Sequence, residues 1–290
     1  MPRRWHIAVL ALLGILALAC EGGVDAADPE STRTRTVAPT GGAPGYPASM
    51  AALGDSITAG VGSCVAYLAC TRNSWAAGTG SGVDSHYQRI LAENPKIRRQ
   101  VHNFAEPGAR AGALATQADR AVDAKVSYVT VLIGANDVCA GPAGRMTPVA
   151  TFRDQVDRAL ATLKKGLPRA RVLVVSIPDL YRLWQVGRED DQAVEVWESR
   201  GICPAMLARP ASAASADEER RRAVRDRIEA YDEQLRAACR AYGSRCRWDG
   251  GRLHDVRFTV GRLSTFDYFH PNIEGQNEIA DVTYPDRFDW

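Results

Sequence analysis

Met50-Ala51-Ala52-Leu53-Gly54-Asp55-Ser56-Ile57-Thr58-Ala59-Gly60 is the stretch on which the fold turns. A short apolar run stops at a glycine, and a serine follows two residues later. Four apolar residues bounded by a turn signal read as a buried strand. A serine just past the carboxyl end of such a strand, ahead of a helix, lies where open α/β sheets bind their ligands. Glycines on either side let the backbone turn tightly and let a substrate approach. The Ser56 N–H is suited to meet a developing oxyanion. The second residue after Ser56 is Thr58, so this is not the G-x-S-x-G elbow. Gly-Asp-Ser alone is a common turn, and its weight comes from the rest of the chain.

Outward from this stretch, short apolar segments recur at Val101–Ala105, Tyr128–Ile133 and Val172–Ile177. Helical patterns lie at Ser85–Glu93, Ala109–Val122, Val149–Leu167 and Glu218–Tyr242. Strands alternating with helices predict a parallel sheet covered on both faces. With 46% hydrophobic and 24% charged residues, the chain has enough apolar side chains for a sizeable core. Between Leu180 and Asp217 the alternation lapses. Gly187, Gly201, Pro204 and Pro210 and a small-residue run interrupt it. So long a connection is commonly functional or mobile, and the sequence leaves open whether 181–216 covers the site. No internal repeat is found.

Three further signals carry chemistry. Asp267-Tyr268-Phe269-His270-Pro271 lies near the C-terminus. A serine hydroxyl needs a base for its proton, and the base needs an acceptor that orients it. Asp and His three residues apart can meet across one turn, leaving the second imidazole nitrogen for the serine. Of the other histidines, His6 falls in the N-terminal segment that reads as an export signal, and His86, His102 and His254 lack this placement. Gly108, in Asn103-Phe104-Ala105-Glu106-Pro107-Gly108-Ala109, follows one predicted strand. Asn136, in Gly134-Ala135-Asn136-Asp137, follows another. A glycine N–H and an asparagine amide are suitable oxyanion donors.

In this order the four blocks resemble those of the SGNH (GDSL-like) hydrolase family: serine, then glycine, then asparagine, then Asp-x-x-His. The resemblance runs from about Ala51 to Ile279. It implies a three-layer α/β/α sandwich of flavodoxin-like type with about five parallel strands. It also implies a serine carboxylic-ester hydrolase. Ser56 is then the nucleophile, His270 the general base and Asp267 its orienting partner. The N–H groups of Ser56 and Gly108 and the Asn136 side chain form the oxyanion hole. Ile133–Cys139 and Asp267–Pro271 further resemble the matching blocks of phospholipase-B-like members, which often carry Gly where Ala135 stands. That points to lipid or other ester substrates, with carbohydrate O-deacetylation as the alternative on the same scaffold. A binding lipoprotein without catalysis is the alternative from another class. The resemblance implies no cofactor.

The N-terminus reads as an export signal. Arg3 and Arg4 precede an apolar run from Ile7 to Ala19. That run is short for a membrane span, which needs about 20 residues. The expected organisation is a signal peptide at 1–19, a flexible Gly/Pro/Ser/Thr-rich tether at 20–47 and one domain at 48–290. Ala17-Leu18-Ala19-Cys20 resembles a bacterial lipobox with Cys20 as the lipidation site, although Ala17 stands where Leu is usual. Val24-Asp25-Ala26 offers ordinary signal-peptidase cleavage instead. The product is then a cell-surface lipoprotein or a secreted protein. Setting Cys20 aside leaves six of seven cysteines, an even number in an exported chain. The simplest pairing is in chain order, Cys64 with Cys70, Cys139 with Cys203 and Cys239 with Cys246. No zinc-type Cys/His spacing appears, so no metal site is expected. The chain has 36 basic and 34 acidic residues, and loss of Arg3 and Arg4 makes them equal. That balance gives no argument for a nucleic-acid partner. Oligomeric state is not legible.

Overall fold

The computed structural model describes residues 45–139, 141 and 145–290. Strands β1 (Met50–Gly54), β2 (Val101–Asn103), β3 (Tyr128–Leu132), β4 (Arg171–Val174) and β5 (Cys246–Trp248) form one parallel sheet. Their order is β2-β1-β3-β4-β5. The helices are α1 (His86–Glu93), α2 (Leu114–Asp123), α3 (Ala135–Val138), α4 (Val149–Gly166), α5 (Leu180–Gly187), α6 (Asp191–Arg200), α7 (Pro204–Leu207), α8 (Ser215–Tyr242) and α9 (Ile273–Thr283).

Alternate strand residues feed two cores. Ala51, Leu53, Val129, Val131, Val172 and Val174 pack with the apolar faces of α2, α4 and α8. Met50, Ala52, Tyr128, Leu132, Leu173 and Val175 pack with those of α1 and α9. The result is a three-layer α/β/α sandwich. Both sheet faces are covered, so β1 and β3 are buried throughout and are apolar on both faces but for Thr130. In α8 the buried residues Val224, Ile228, Tyr231, Leu235 and Ala238 recur at helical spacing, and Phe152 of α4 stacks on Tyr231 with ring centroids 4.0 Å apart.

Several boundaries differ from the sequence reading. Helix α2 starts at Leu114, not Ala109, because Ala111–Ala113 form a 3₁₀ turn leading into it, whose Ala111 N–H is held by the Asp137 carboxylate at 3.0 Å. The three-residue, half-buried edge strand β5 carries too little pattern to be read. The stretch from Leu180 to Asp217 is largely helical. Asp179 caps α5 and Asp190 caps α6 through side-chain bonds to backbone N–H groups, and Gly201 ends α6 in the left-handed region. Gly187 reads as a breaker in sequence. In the structure its missing Cβ admits the Trp197 indole, which an added Cβ would meet at 2.1 Å. At the N-terminal side, Tyr46 and Pro47 belong to the packed unit and not to a tether. Asn94 donates to both their carbonyls, and Tyr46 packs on Phe288. The segments read as signal peptide and as most of the tether, with Cys20, lie outside the described residues. Among the described residues no helix is long and apolar enough to cross a membrane.

His86 is a core residue. It sits between the Tyr128 hydroxyl at 3.1 Å and Thr283 Oγ1 at 3.0 Å, and burial lowers its pKa to about 3. It is neutral and part of the frame.

Candidate active site

Strand β1 has β2 on one side and β3 on the other, so the chain reverses its direction of winding at β1. Connections leaving β1 and β3 diverge there and open a crevice beyond their carboxyl ends. Ser56 stands two residues past β1. The turn that carries it is clamped from both sides by buried amides. Gln117 accepts from the Gly54 N–H at 2.7 Å and donates to the Gly54 carbonyl at 2.9 Å. Gln276 donates to the Ile57 carbonyl at 2.9 Å and accepts from the Trp75 N–H at 2.8 Å. Asn103 donates to the Thr58 carbonyl at 2.8 Å. These three amides were not singled out from sequence. A polar residue inside an apolar helix face is the only sign that Gln117 leaves there.

His270 Nε2 lies 2.8 Å from Ser56 Oγ, and its Nδ1 is hydrogen-bonded to Asp267 Oδ2. The other Asp267 oxygen accepts the backbone N–H groups of Phe269 and His270, each at 3.0 Å. Burial raises the Asp267 carboxyl, but the His270 and Phe269 hydrogen bonds outweigh it and hold it below the usual range. The carboxylate therefore stays ionised where it faces the imidazole.

The turn carrying this pair is propped from the segment that sequence reading left irregular. Trp197 Nε1 donates to the carbonyls of Asp267 at 3.1 Å and Tyr268 at 3.2 Å. Tyr268 holds φ of +50°, a left-handed conformation that costs a non-glycine residue about 1–2 kcal/mol. Its hydroxyl donates to Gln192 at 2.9 Å. Helix α6 thus fixes both ends of the strained residue.

Gly108 and Asn136 line the same cleft as Ser56 and His270. Gly108 has φ of +79°, and the space its Cβ would enter is open, so glycine answers a backbone requirement here and leaves the opening clear. Asn136 Nδ2 donates to the Ala109 carbonyl at 3.1 Å, which fixes the amide and leaves it a second N–H. One residue on, the fully buried Asp137 holds the Ala111 N–H. Two adjacent side chains of α3 therefore tie down the loop that carries Gly108.

Asp55, beside Ser56, is also buried. Burial pushes its carboxyl up to about 7, the neighbouring Asp137 pushes the same way, and the Ile57 N–H at 2.9 Å opposes them. His254 lies elsewhere. Its Nδ1 bonds the Ile177 carbonyl at 2.9 Å and pairs with Asp232, whose hydrogen bond raises it to about 9.

The cleft measures about 460 Å³. Its walls are Val61, Tyr67, Leu68, Ala69, Pro107, Ile202 and Phe269, with Gly201 and Cys203. Among the described residues, His270 is the only side chain in its lining that can carry positive charge, and no carboxylate lines it. The disulfides join Cys64 to Cys70, Cys139 to Cys203 and Cys239 to Cys246. The second brings Gly201–Cys203 to the cleft, beside the helix that carries Asn136. Among the described residues no cluster of three or more His, Cys, Asp or Glu could hold a metal ion.

A sheet of this order with a serine at its switch point and an Asp-x-x-His turn above it is the architecture of an ester hydrolase. The family model of the GDSL-like lipase/acylhydrolase family matches residues 52–277, and the chain belongs to that family. Membrane-associated phospholipase B1 of Rattus norvegicus is 29% identical over 191 residues, which are 54% of this chain and 13% of that protein. The chain thus spans about an eighth of the length of this curated relative. Among solved structures, a variant of an acetyl-xylooligosaccharide esterase from Geobacillus stearothermophilus superposes with a TM-score of 0.50 at 14% identity, covering 83% of this chain and 94% of that one. The extracellular lipase of Streptomyces rimosus gives 0.48 at 18% identity, over 81% and 97%.

Proposed function

We propose that this protein is an exported serine esterase that cleaves carboxylic esters of apolar acyl chains through Ser56, His270 and Asp267. The observation that carries the reading is the continuous hydrogen-bonded path from Asp267 through His270 to Ser56 Oγ, ending in an apolar cleft. Ser56 Oγ attacks the ester carbonyl while His270 Nε2 takes its proton. The oxyanion that forms is met by the N–H groups of Ser56 and Gly108 and by the Asn136 amide. As the C–O bond breaks, His270 returns the proton to the departing alcohol. Water then attacks acyl-Ser56 by the same route, releasing the acid and restoring the hydroxyl.

The walls favour acyl chains over acetylated sugars. A sugar presents hydroxyls that lose water on entry and need partners in return. Beyond Ser56, Asn136, His270 and the Tyr67 phenol, the lining side chains are aliphatic, aromatic or sulfur-bearing. Lipids and phospholipids fit this chemistry, as the resemblance to phospholipase-B-like proteins suggests.

Three disulfides among the described residues support an oxidising compartment. An N-terminal signal at 1–19, a tether up to about residue 45 and lipidation at Cys20 complete the proposal. Loss of membrane retention in Cys20→Ser tests the anchor.

The test of the activity compares wild type with Ser56→Ala on p-nitrophenyl esters of increasing chain length and on acetylated xylo-oligosaccharides. A fluorophosphonate adduct mapped to Ser56, with rates rising from acetate to longer chains, is the expected result. Labelling at a different serine, with Ser56→Ala still active, overturns the assignment. Turnover confined to acetylated sugars overturns the substrate class.

A further inference from the structure

Natural surfaces seldom carry several apolar residues in a row, and an exposed run of this kind is an error of patterning unless it has a use. Val65-Ala66-Tyr67-Leu68-Ala69 is such a run. All five are exposed, inside the loop that the Cys64–Cys70 disulfide closes. Among the described residues the exposed large hydrophobic side chains are Val65 at 99%, Leu68 at 68%, Tyr67 at 45% and Ile273 at 39%. Two of them border the catalytic opening. Tyr67 and Leu68 line the Ser56 cleft, and Val65 and Ile273 line a second depression of about 680 Å³ on the other side of the same loop.

Charge is missing from this loop as well. Residues 57–71 contain no Asp, Glu, Lys, Arg or His. Beyond the loop, Asp267 and His270 are buried and paired with each other, and the exposed Glu274 lines the second depression next to Ile273. Seating the loop in an apolar phase therefore desolvates no charge of its own. The disulfide limits what the loop can lose in conformational freedom on contact. Tyr67 is further steadied by the rings of Phe266 and His270, with centroids 6.2 Å and 6.0 Å away.

We infer that the Cys64–Cys70 loop, with Ile273, is a docking surface for an electrically neutral lipid surface, placing the cleft mouth against aggregated substrate. The inference rests on the ester-hydrolase reading for its purpose and on exposure and charge for its evidence. The loop both walls the cleft and meets the lipid, so an acyl chain can pass from the aggregate to Ser56 along apolar side chains. The absence of basic residues from the loop makes the attraction hydrophobic, so salt should not weaken it.

Full-length protein carrying Ser56→Ala, with and without Val65→Asp, is floated with phosphatidylcholine vesicles at low and high salt. Both proteins share the same N-terminal segment, so the difference between them reads the loop. Val65→Asp should lower the bound-to-free ratio by on the order of tenfold or more, since it removes an apolar side chain and adds a charge at the point of insertion. Binding of the parent should be unchanged by salt. In parallel, Val65→Asp in the otherwise wild-type chain should hydrolyse dissolved p-nitrophenyl acetate at the parent rate. It should lose the rise in rate that the parent shows as tributyrin passes from solution into emulsion.

Equal vesicle binding by the two proteins overturns the inference. So does binding that requires anionic lipid, or a change from dimer to monomer in Val65→Asp with vesicle binding intact, which would assign the patch to a second copy of the chain. Failure of the parent to cleave p-nitrophenyl acetate overturns the esterase reading instead, and leaves the vesicle result to decide this one.

Discussion

Asp267→Asn separates an orienting role from a structural one. The wild-type carboxylate does two things with two oxygens. Oδ1 accepts the backbone N–H groups of Phe269 and His270, and Oδ2 accepts His270 Nδ1–H. An asparagine that keeps its carbonyl at the Oδ1 position preserves both backbone bonds. Its amide nitrogen then replaces Oδ2 and presents a donor to Nδ1. Nδ1 must become an acceptor, which moves the ring proton to Nε2, the nitrogen 2.8 Å from Ser56 Oγ. A protonated Nε2 cannot take the serine proton. Where a serine-hydrolase triad has lost its base in this way, kcat has fallen by about 10⁴, or about 5.5 kcal/mol of transition-state stabilisation. The same substitution should leave Tm almost unchanged, because the turn keeps its internal acceptor. Asp267→Ala is the contrast. It orphans two N–H groups in a buried turn, at about 1–3 kcal/mol each, and should lower Tm by at least about 4 °C. Steady-state hydrolysis of p-nitrophenyl butyrate and thermal melts of both variants make the measurement. An Asp267→Asn kcat within tenfold of wild type would refute the tautomer argument, and a Tm loss equal to that of Asp267→Ala would refute the division of labour between the oxygens.

Three other outcomes are expected. Asn136→Ala removes one oxyanion donor, so kcat on p-nitrophenyl butyrate should fall by about 10²–10³ with KM nearly constant; an unchanged kcat takes Asn136 out of the mechanism. Cys139→Ser with Cys203→Ser opens a bridge spanning 64 residues. Denaturant melts should show a loss of about 2–5 kcal/mol, and activity measured well below the melting transition should fall as well, because the bridge anchors the Asn136 helix to the cleft wall; full activity there would confine the disulfide to stability. Asp55 has its folded pKa raised from 3.8 to about 7, so it favours the folded state when protonated. The stability it contributes is present at low pH and is lost as pH rises through about 7. Asp55→Asn keeps the Ile57 hydrogen bond without the charge. Its Tm relative to wild type should therefore be higher at pH 8 than at pH 5, and a pH-independent difference would show that Asp55 ionises freely in the fold.

The sandwich and the residues proposed as nucleophile and partners were legible in the chain because each rests on a local rule. Buried parallel strands must be apolar on both faces, as Met50–Leu53 and, but for Thr130, Tyr128–Leu132 are. A turn that presents a serine beyond such a strand carries glycine, and an Asp three residues before a His can close on it within one turn. Spatial order, however, belongs to the tertiary structure. Nothing in residues 180–216 says that Trp197 will reach the carbonyls of Asp267 and Tyr268, or that Gly187 is small in order to receive that indole. Gln117, Gln276 and Asp137 are ordinary polar residues in sequence, and become clamps only when the sheet sets β1, β2 and β3 side by side. Val65 and Leu68 carry no sign of exposure in sequence, and only the fold leaves them in water. The difference is one of range. Strand burial and capping depend on neighbours a few positions away, whereas support of a catalytic turn and exposure of an apolar loop depend on contacts between segments that chain connectivity does not relate.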